Sequence, residues 1–402
     1  MTSFYEVLGL TALLWFLGKF IRYAFPPLFE TLQEAYVIST TQIGLAFSGF
    51  MLLYALLQFP SGALADRFGA TLVITGGAMV AAIGAATMLF RPPFALLVVA
   101  MAVIGAGTGA HKTVAVRLLS NVYPSRFGRT LGIFDTVGAS GGVVAPIIVA
   151  GILGLALVNW QVLFGITAFV FALIGLGFFH RMTRIQGVDV PSAESVLPWR
   201  TYTRTFRRGK LLGFMGVTVL VAFTYNGLVA FLPLMLTVEG GLSPAMASLL
   251  YSVLFLASVS QLATGEAADR FGPLPTVTVC LVAATLSLVA LVGLLNLGYD
   301  LTTPLGLAAL GGVILSIGLG AHGYRPARDV YIVGLVPAAT TGGSLGVVRT
   351  VLMVSAALAP GVIGFVADRY DFLIAFSILA GVATLAVVLV LVIAHLERRE
   401  IS

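Results

Sequence analysis

Charge is scarce in this sequence: Asp, Glu, Lys and Arg make up only 9% of its 402 residues, against 59% hydrophobic. Soluble globular domains carry far more, and a mean hydropathy of +1.05 points to a polytopic α-helical membrane protein. Short alternating segments are missing, which excludes a β-barrel. The single cysteine, Cys280, excludes an intrachain disulfide and a cysteine metal cluster. Metal-ligand spacing, a P-loop and a nucleophile elbow are also lacking, so no cofactor, no enzyme and no ATP-driven pump is expected. The first apolar run has no basic head and no small-residue cleavage site, and it contains Lys19 and Arg22. It reads as a first spanning helix and not a signal peptide.

What is present is a series of apolar runs long enough to span a bilayer. They fall near 5–29, 41–64, 70–90, 94–121, 128–154 and 159–179, then 211–236, 243–264, 273–297, 304–334, 340–366 and 372–396. Their arrangement predicts a six-helix bundle over 1–180, a cytoplasmic central loop over 181–210 and a second six-helix bundle over 211–402. Lys and Arg set the orientation. With both termini cytoplasmic, thirteen basic residues fall in inner loops, eight of them between Arg181 and Arg270, and only Arg91 and Arg369 in outer ones. That bias explains most of the net charge of +6. The reading is therefore a cytoplasmic-membrane protein surrounded by lipid, with no nucleic acid partner.

The two halves repeat. GALADRFG (62–69) matches GEAADRFG (265–272), each between the second and third helices of its half. GTGAHKTVAVRLL from Gly107 matches GLGAHGYRPARDV from Gly318 at an offset of 211, and TLGIFDTVGASGGVVAP (130–146) matches SLGVVRTVLMVSAALAP (344–360) at 214. More weakly, Phe16, Lys19 and Pro26 face Phe223, Asn226 and Pro233. Repeats in one orientation predict a pseudo-twofold axis along the membrane normal and a cavity between the halves.

On these residues the chain resembles the major facilitator superfamily (MFS). Its loop signature, roughly G-x-L-A-D-R-x-G-R-R, appears as GALADRFG with its echo GEAADRFG; Ala70-Thr71 and Pro273-Leu274 stand where the signature has its basic pair. GASGGVVAPIIVAG (138–151) partly resembles the helix 5 motif of the family's proton-coupled exporters, with Ala145 before Pro146 in place of Gly. The resemblance covers the whole chain. It implies the MFS fold of twelve helices in two pseudo-twofold-related bundles, a monomer, and gate roles for Asp66, Arg67, Asp269 and Arg270. The alternative for Asp66 and Asp269 is to cap the helices that follow them.

Seven cations fall inside spanning runs: Lys19, Arg22, Lys112, Arg117, Arg325, Arg328 and Arg349, with only Asp135 and Asp329 as interior acids. A charge at the bilayer centre costs roughly 2.5–3.5 kcal/mol on insertion scales. An excess of five such charges must therefore be paired, lie along water or meet an anion. Matching depth predicts an Arg117–Asp135 ion pair. In the second half Arg349 stands in the place of Asp135, leaving Asp329 to serve two or three guanidinium groups. Lys19, Arg22, Lys112, Arg325, Arg328 and Arg349 are the expected anion ligands, and Arg suits carboxylate and phosphate by its planar fork. Tyr54, Tyr225, Asn226 and Tyr324, with Gln58, offer neutral hydrogen bonds; Tyr54 and Gln58 equally suit a packing pair. A free imidazole titrates near neutral pH, so His111 and His322, with Asp135 and Asp329, are the candidates for a coupled proton; otherwise they are satisfied buried histidines.

Together, resemblance and charge imply a secondary transporter of a small organic anion or oxyanion, carboxylate- or phosphate-like. Alternating access would make it an anion antiporter, like oxalate–formate exchangers, or a proton-coupled symporter. The alternative is an MFS exporter of anionic drugs such as phosphonates. A ligand-binding receptor without flux is a third class.

Overall fold

The computed structural model describes residues 2–155, 159–185, 209–336 and 341–401. Among them the secondary structure is helical, with twelve helices long and apolar enough to cross a membrane. We number them α1 (Thr2–Ala24, continued by Phe29–Tyr36), α2 (Thr40–Phe68), α3 (Ala70–Leu89), α4 (Phe94–Val122), α5 (Phe127–Leu155) and α6 (Trp160–Met182). The second set is α7 (Gly209–Val238), α8 (Pro244–Leu256, continued by Ser260–Phe271), α9 (Pro273–Asn296), α10 (Pro304–Leu335), α11 (Thr341–Arg369) and α12 (Phe372–Ile401). They form two compact units, Met1–Glu194 and Ser195–Ser402. Residues 186–208 of the expected central loop, with Arg200, Arg204, Arg207 and Arg208, lie outside the described residues.

Local chemistry sets the helix ends. Ser39 and Gln42 form a reciprocal capping box at the start of α2, which satisfies two donors that the first turn leaves without partners. Ser243 and Thr303 each cap a helix whose next residue is Pro, which loses nothing by lacking an N–H there. The two loop motifs end in glycine for a geometric reason. Gly69 and Gly272 have φ of 87° and 90°, a region costly for any residue with a Cβ, and α3 and α9 begin directly after them. In the turn before α10, Asp300 accepts from the Thr302 hydroxyl at 2.6 Å and its N–H at 2.9 Å. These bonds hold its carboxyl below the usual range.

In the first unit α4 is the centre of packing. A Cβ on Gly105 would strike the main chain of Phe50 in α2, and one on Gly107 would come within 2.5 Å of the main chain of Ala81 and Gly77 in α3. Backbones this close gain dispersion that no side chain could supply in lipid. In the second unit α10 has that place. Gly318 faces Leu254 and Ala257 of α8, and Gly320 faces Cys280 and Ala284 of α9.

These contacts revise the repeat. The sequence pairs Gly107 with Gly318 at an offset of 211. Packing pairs Gly105 with Gly318, both on the second helix of their half, and Gly107 with Gly320, both on the third. The structural offset is 213. A third pair agrees: His111 reaches Thr11 of α1, while Tyr324 faces Thr218 of α7, and Thr11 and Thr218 occupy matching turns by the 207 offset of Phe16 and Phe223. His322 then stands where the first unit has Gly109, whose missing Cβ lets Tyr54 main chain approach. Opposite His322, α8 leaves the α-helical path in a 3-10 turn at Ala257–Val259, whereas α2 runs on unbroken. The two histidines share a sequence frame but not a structural place.

Candidate functional site

The first unit gathers its charges around one indole. A Cβ on Gly138 of α5 would overlap the Trp15 ring, and Gly141 lies 2.6 Å (from its would-be Cβ) from the Phe16 carbonyl, so α1 and α5 meet closely with Trp15 between them. Lys19 Nζ lies 4.9 Å from the Trp15 centroid and Lys112 Nζ lies at the same distance from the same ring. Such cation–π seats are worth about 0.5–2 kcal/mol each, more as water is excluded. Lys112 also donates to Asp135 Oδ1 at 2.7 Å. His111 is buried, stacks on Trp15 and reaches the Thr11 carbonyl through Nε2 at 3.0 Å. A carbonyl only accepts, so that nitrogen carries the proton. One turn beyond Lys19, Arg22 is 7% exposed, its guanidinium 5.5 Å from the Tyr23 ring and 5.3 Å from the Tyr54 ring.

The expected Arg117–Asp135 pair does not form. Arg117 bonds Asp66 of the loop motif, and Asp135 is taken by Lys112. Arg117 lies five residues beyond Lys112 on α4 and meets the end of α2 instead of α5. Asp66 does not cap α3, whose N-cap is Gly69 without a side-chain bond. With Arg117 neutralised there, the interior excess falls from five to four. The other proposed gate residues bond locally: Arg67 stacks on Phe68 at 5.2 Å, and Arg270 meets Glu266 one turn away at 2.6 Å. Asp269 is exposed.

In the second unit the Arg325 guanidinium lies 4.9 Å from the Tyr225 ring, and the Tyr225 hydroxyl meets His322 Nε2 at 3.4 Å. Arg328 donates from Nε and Nη2 to Asp329 Oδ1 at 2.9 and 2.7 Å and lies over the Tyr324 ring. Asp329 thus serves one guanidinium, its chain neighbour, and not the two or three expected. Asn226 donates to the Ala222 carbonyl of its own helix at 2.8 Å. Arg349 on α11 is exposed. No carboxylate among the described residues pairs with Arg325 or Arg349. A small, partly open cavity is lined by Thr224, Tyr225, Leu281, Thr285, Ile317 and Ala321.

The structural offset gives these charges their meaning. Lys112 now corresponds to Arg325, and Asp135 corresponds to Arg349 through the α5–α11 match. Where the first unit holds a salt bridge, the second writes two guanidinium groups. Sequence reasoning missed both the Lys112–Asp135 pair and the shared Trp15 seat. The Trp15–Lys19 spacing of i, i+4 was a visible signal; the approach of Lys112 from another helix left none.

Lys112→Met and Asp135→Asn should each lower the thermal midpoint of the detergent-solubilised protein, and the double variant should recover most of the loss. The side chains are 18% and 46% exposed, so the coupling is expected at about 1–2 kcal/mol, below that of a fully buried pair. Additive losses in a double-mutant cycle would show that the pair does not form.

The family model of the Major Facilitator Superfamily matches residues 10–322 and 214–402. The chain is 26% identical to the probable sulfoacetate transporter SauU of Cupriavidus necator over 52% of each chain. It is 24% identical to the hexuronate transporter of Bacillus subtilis over 88% of this chain and 86% of that one. The match to the first of these thus spans about half its length. In three dimensions the chain is similar to an inward-facing, occupied bacterial homolog of the human lysosomal transporter Spinster. The TM-score is 0.79 at 18% identity, over 97% and 96% of the two chains. With two six-helix units, both loop motifs and a family match along its length, this chain belongs to the Major Facilitator Superfamily. It is a multi-pass membrane protein.

Proposed function

We propose that this protein is a secondary transporter, not an enzyme, that carries a small organic anion across the cytoplasmic membrane by alternating access. The observation that carries the proposal is the replacement of the Lys112–Asp135 pair by Arg325 and Arg349 in the second unit. Two guanidinium groups that no carboxylate among the described residues pairs with call for an anion, and a planar fork binds a carboxylate, sulfonate or phosphate through two parallel bonds. Lys19, Arg22, Lys112 and Arg328 add positive potential, with Tyr54, Tyr225, Asn226 and Tyr324 as neutral partners. The names of the relatives, a sulfoacetate and a hexuronate transporter, support the same substrate class. Release requires that binding only just offset desolvation. A cationic site that resists closing when empty favours antiport over proton symport. Asp66, Arg67, Asp269 and Arg270 are proposed as gate residues, both termini as cytoplasmic, and the working unit as a monomer.

The test is counterflow in proteoliposomes preloaded with formate, oxalate, lactate, succinate, phosphate, sulfate or a phosphonate. Saturable uptake of the labelled partner is expected for at least one organic anion. Rates that hold across two pH values would support antiport, and uptake driven by a proton gradient would support symport. No exchange with any anion would refute the transport reading.

A further inference from the structure

Gln58 of α2 is 8% exposed, and neither its Oε1 nor its Nε2 meets a hydrogen-bond partner among the described residues. A buried amide left without partners is costly, because both groups were bonded to water in the unfolded chain. The repeat sharpens the anomaly. The loop-motif offset of 203 places Gln261 of α8 at the same position, and there the amide is served: Nε2 donates to the Ser258 carbonyl at 3.1 Å. That carbonyl lies in the 3-10 turn at Ala257–Val259, where the main chain departs from α-helical bonding. The α2 backbone has no such turn and offers its Gln no carbonyl.

The surroundings of Gln58 say what can serve it. Tyr54, one turn earlier on the same buried face, carries the Arg22 guanidinium at 5.3 Å from its ring. Phe50 and Tyr54 pack their main chains on Gly105 and Gly109, and the same register one turn on brings Gln58 level with residues 112–113 of α4. Gln58 is thus one turn along α2 from the tyrosine that seats Arg22, and at the level of the α4 turn that bears Lys112. A carboxylate alone cannot satisfy it, since Oε1 needs a donor. A hydroxyl both donates and accepts, and one helical turn, about 5.4 Å, spans the distance from a carboxylate to a nearby hydroxyl of the same small acid.

We propose that Gln58 is a specificity-determining residue that reads a substrate hydroxyl, so that the preferred cargo is a hydroxylated organic anion. This rests on the anion-transport reading above and narrows it. A site built to bond a hydroxyl rejects the analogue without one, because the amide is then left buried and bare.

The experiment is competition against exchange in proteoliposomes, with pairs matched in charge and length: isethionate against ethanesulfonate, and tartrate against succinate. Wild-type protein is expected to favour the hydroxylated member of at least one pair by about tenfold or more. Gln58→Met, which keeps length and removes the amide, should bring that ratio close to unity. Equal preference in the wild type, or a ratio that survives in Gln58→Met, would overturn the assignment. Should Gln58→Met fail to fold, Gln58→Asn replaces it: a shortened amide should shift the ratio, and an unshifted ratio counts against the proposal. Absence of any exchange in the wild type would instead sink the transport reading itself.

Discussion

Arg349→Asp is expected to yield a folded, membrane-inserted protein that no longer exchanges anions. The substitution writes into the second unit the arrangement the first unit already has, an acid on the fifth helix of the half facing a cation on the fourth. Lys112 and Asp135 form that pair at 2.7 Å, and Arg325 is the structural counterpart of Lys112. A carboxylate at 349 would neutralise Arg325 from within the chain and occupy the bonds intended for substrate. Losing a charge-assisted pair of this kind costs about 2–5 kcal/mol, or roughly 30- to several-thousand-fold in affinity. Arg349→Ala should also lose exchange, but to a smaller extent, since it removes one attraction without adding a competitor. Counterflow rates and the thermal midpoint, measured on both variants, check the idea. An Arg349→Asp protein that exchanges at the wild-type rate would mean that Arg325 and Arg349 do not contact the cargo.

The second large effect concerns stability. Gly107→Leu and Gly320→Leu should each reduce the yield of monodisperse protein to near background, whereas Gly128→Leu should be tolerated. A Cβ at 107 would lie 2.5 Å from main-chain atoms of Gly77 and Ala81, and one at 320 would meet the Cys280 carbonyl and Ala284. Backbone cannot rotate away as a side chain can, so α4 and α10 would have to separate from α3 and α9. Overpacking of this type costs about 3 kcal/mol or more and forfeits the close contacts that hold helices together in lipid. At Gly128 nothing lies within 4 Å of the added atom. Size-exclusion profiles of the three variants decide the matter, and a well-behaved Gly107→Leu protein would show that α3 and α4 are not packed as described.

Glycine at 107 and 320 also explains part of what the two GxGAH segments have in common. Small residues are written twice because each half has one helix that must approach two neighbours closely. The histidines are not part of that shared requirement. His111 binds a helix carbonyl beside Trp15, whereas His322 meets a tyrosine hydroxyl beside Arg325.

Sequence alone determined the class, the twelve spans, the loop motifs and the presence of too many interior cations. These follow from hydropathy and spacing along one chain, which a sequence displays directly. It also placed Arg349 opposite Asp135, because the flanking residues of α5 and α11 match without gaps. Tertiary structure decided the partners. Arg117 chose Asp66 over Asp135, Lys112 took Asp135, and the repeat of α4 in α10 moved by two residues. Two residues turn a helix by roughly 200°, so an alignment that maximises identical letters can put the wrong faces together. Which face meets which neighbour is settled by where backbones approach closest, and that depends on atoms from helices far away in the chain. The orphaned amide of Gln58 belongs to the same category. In sequence Gln58 and Gln261 are equivalent, and only the local path of α2 and α8 shows that one amide is satisfied and the other is not.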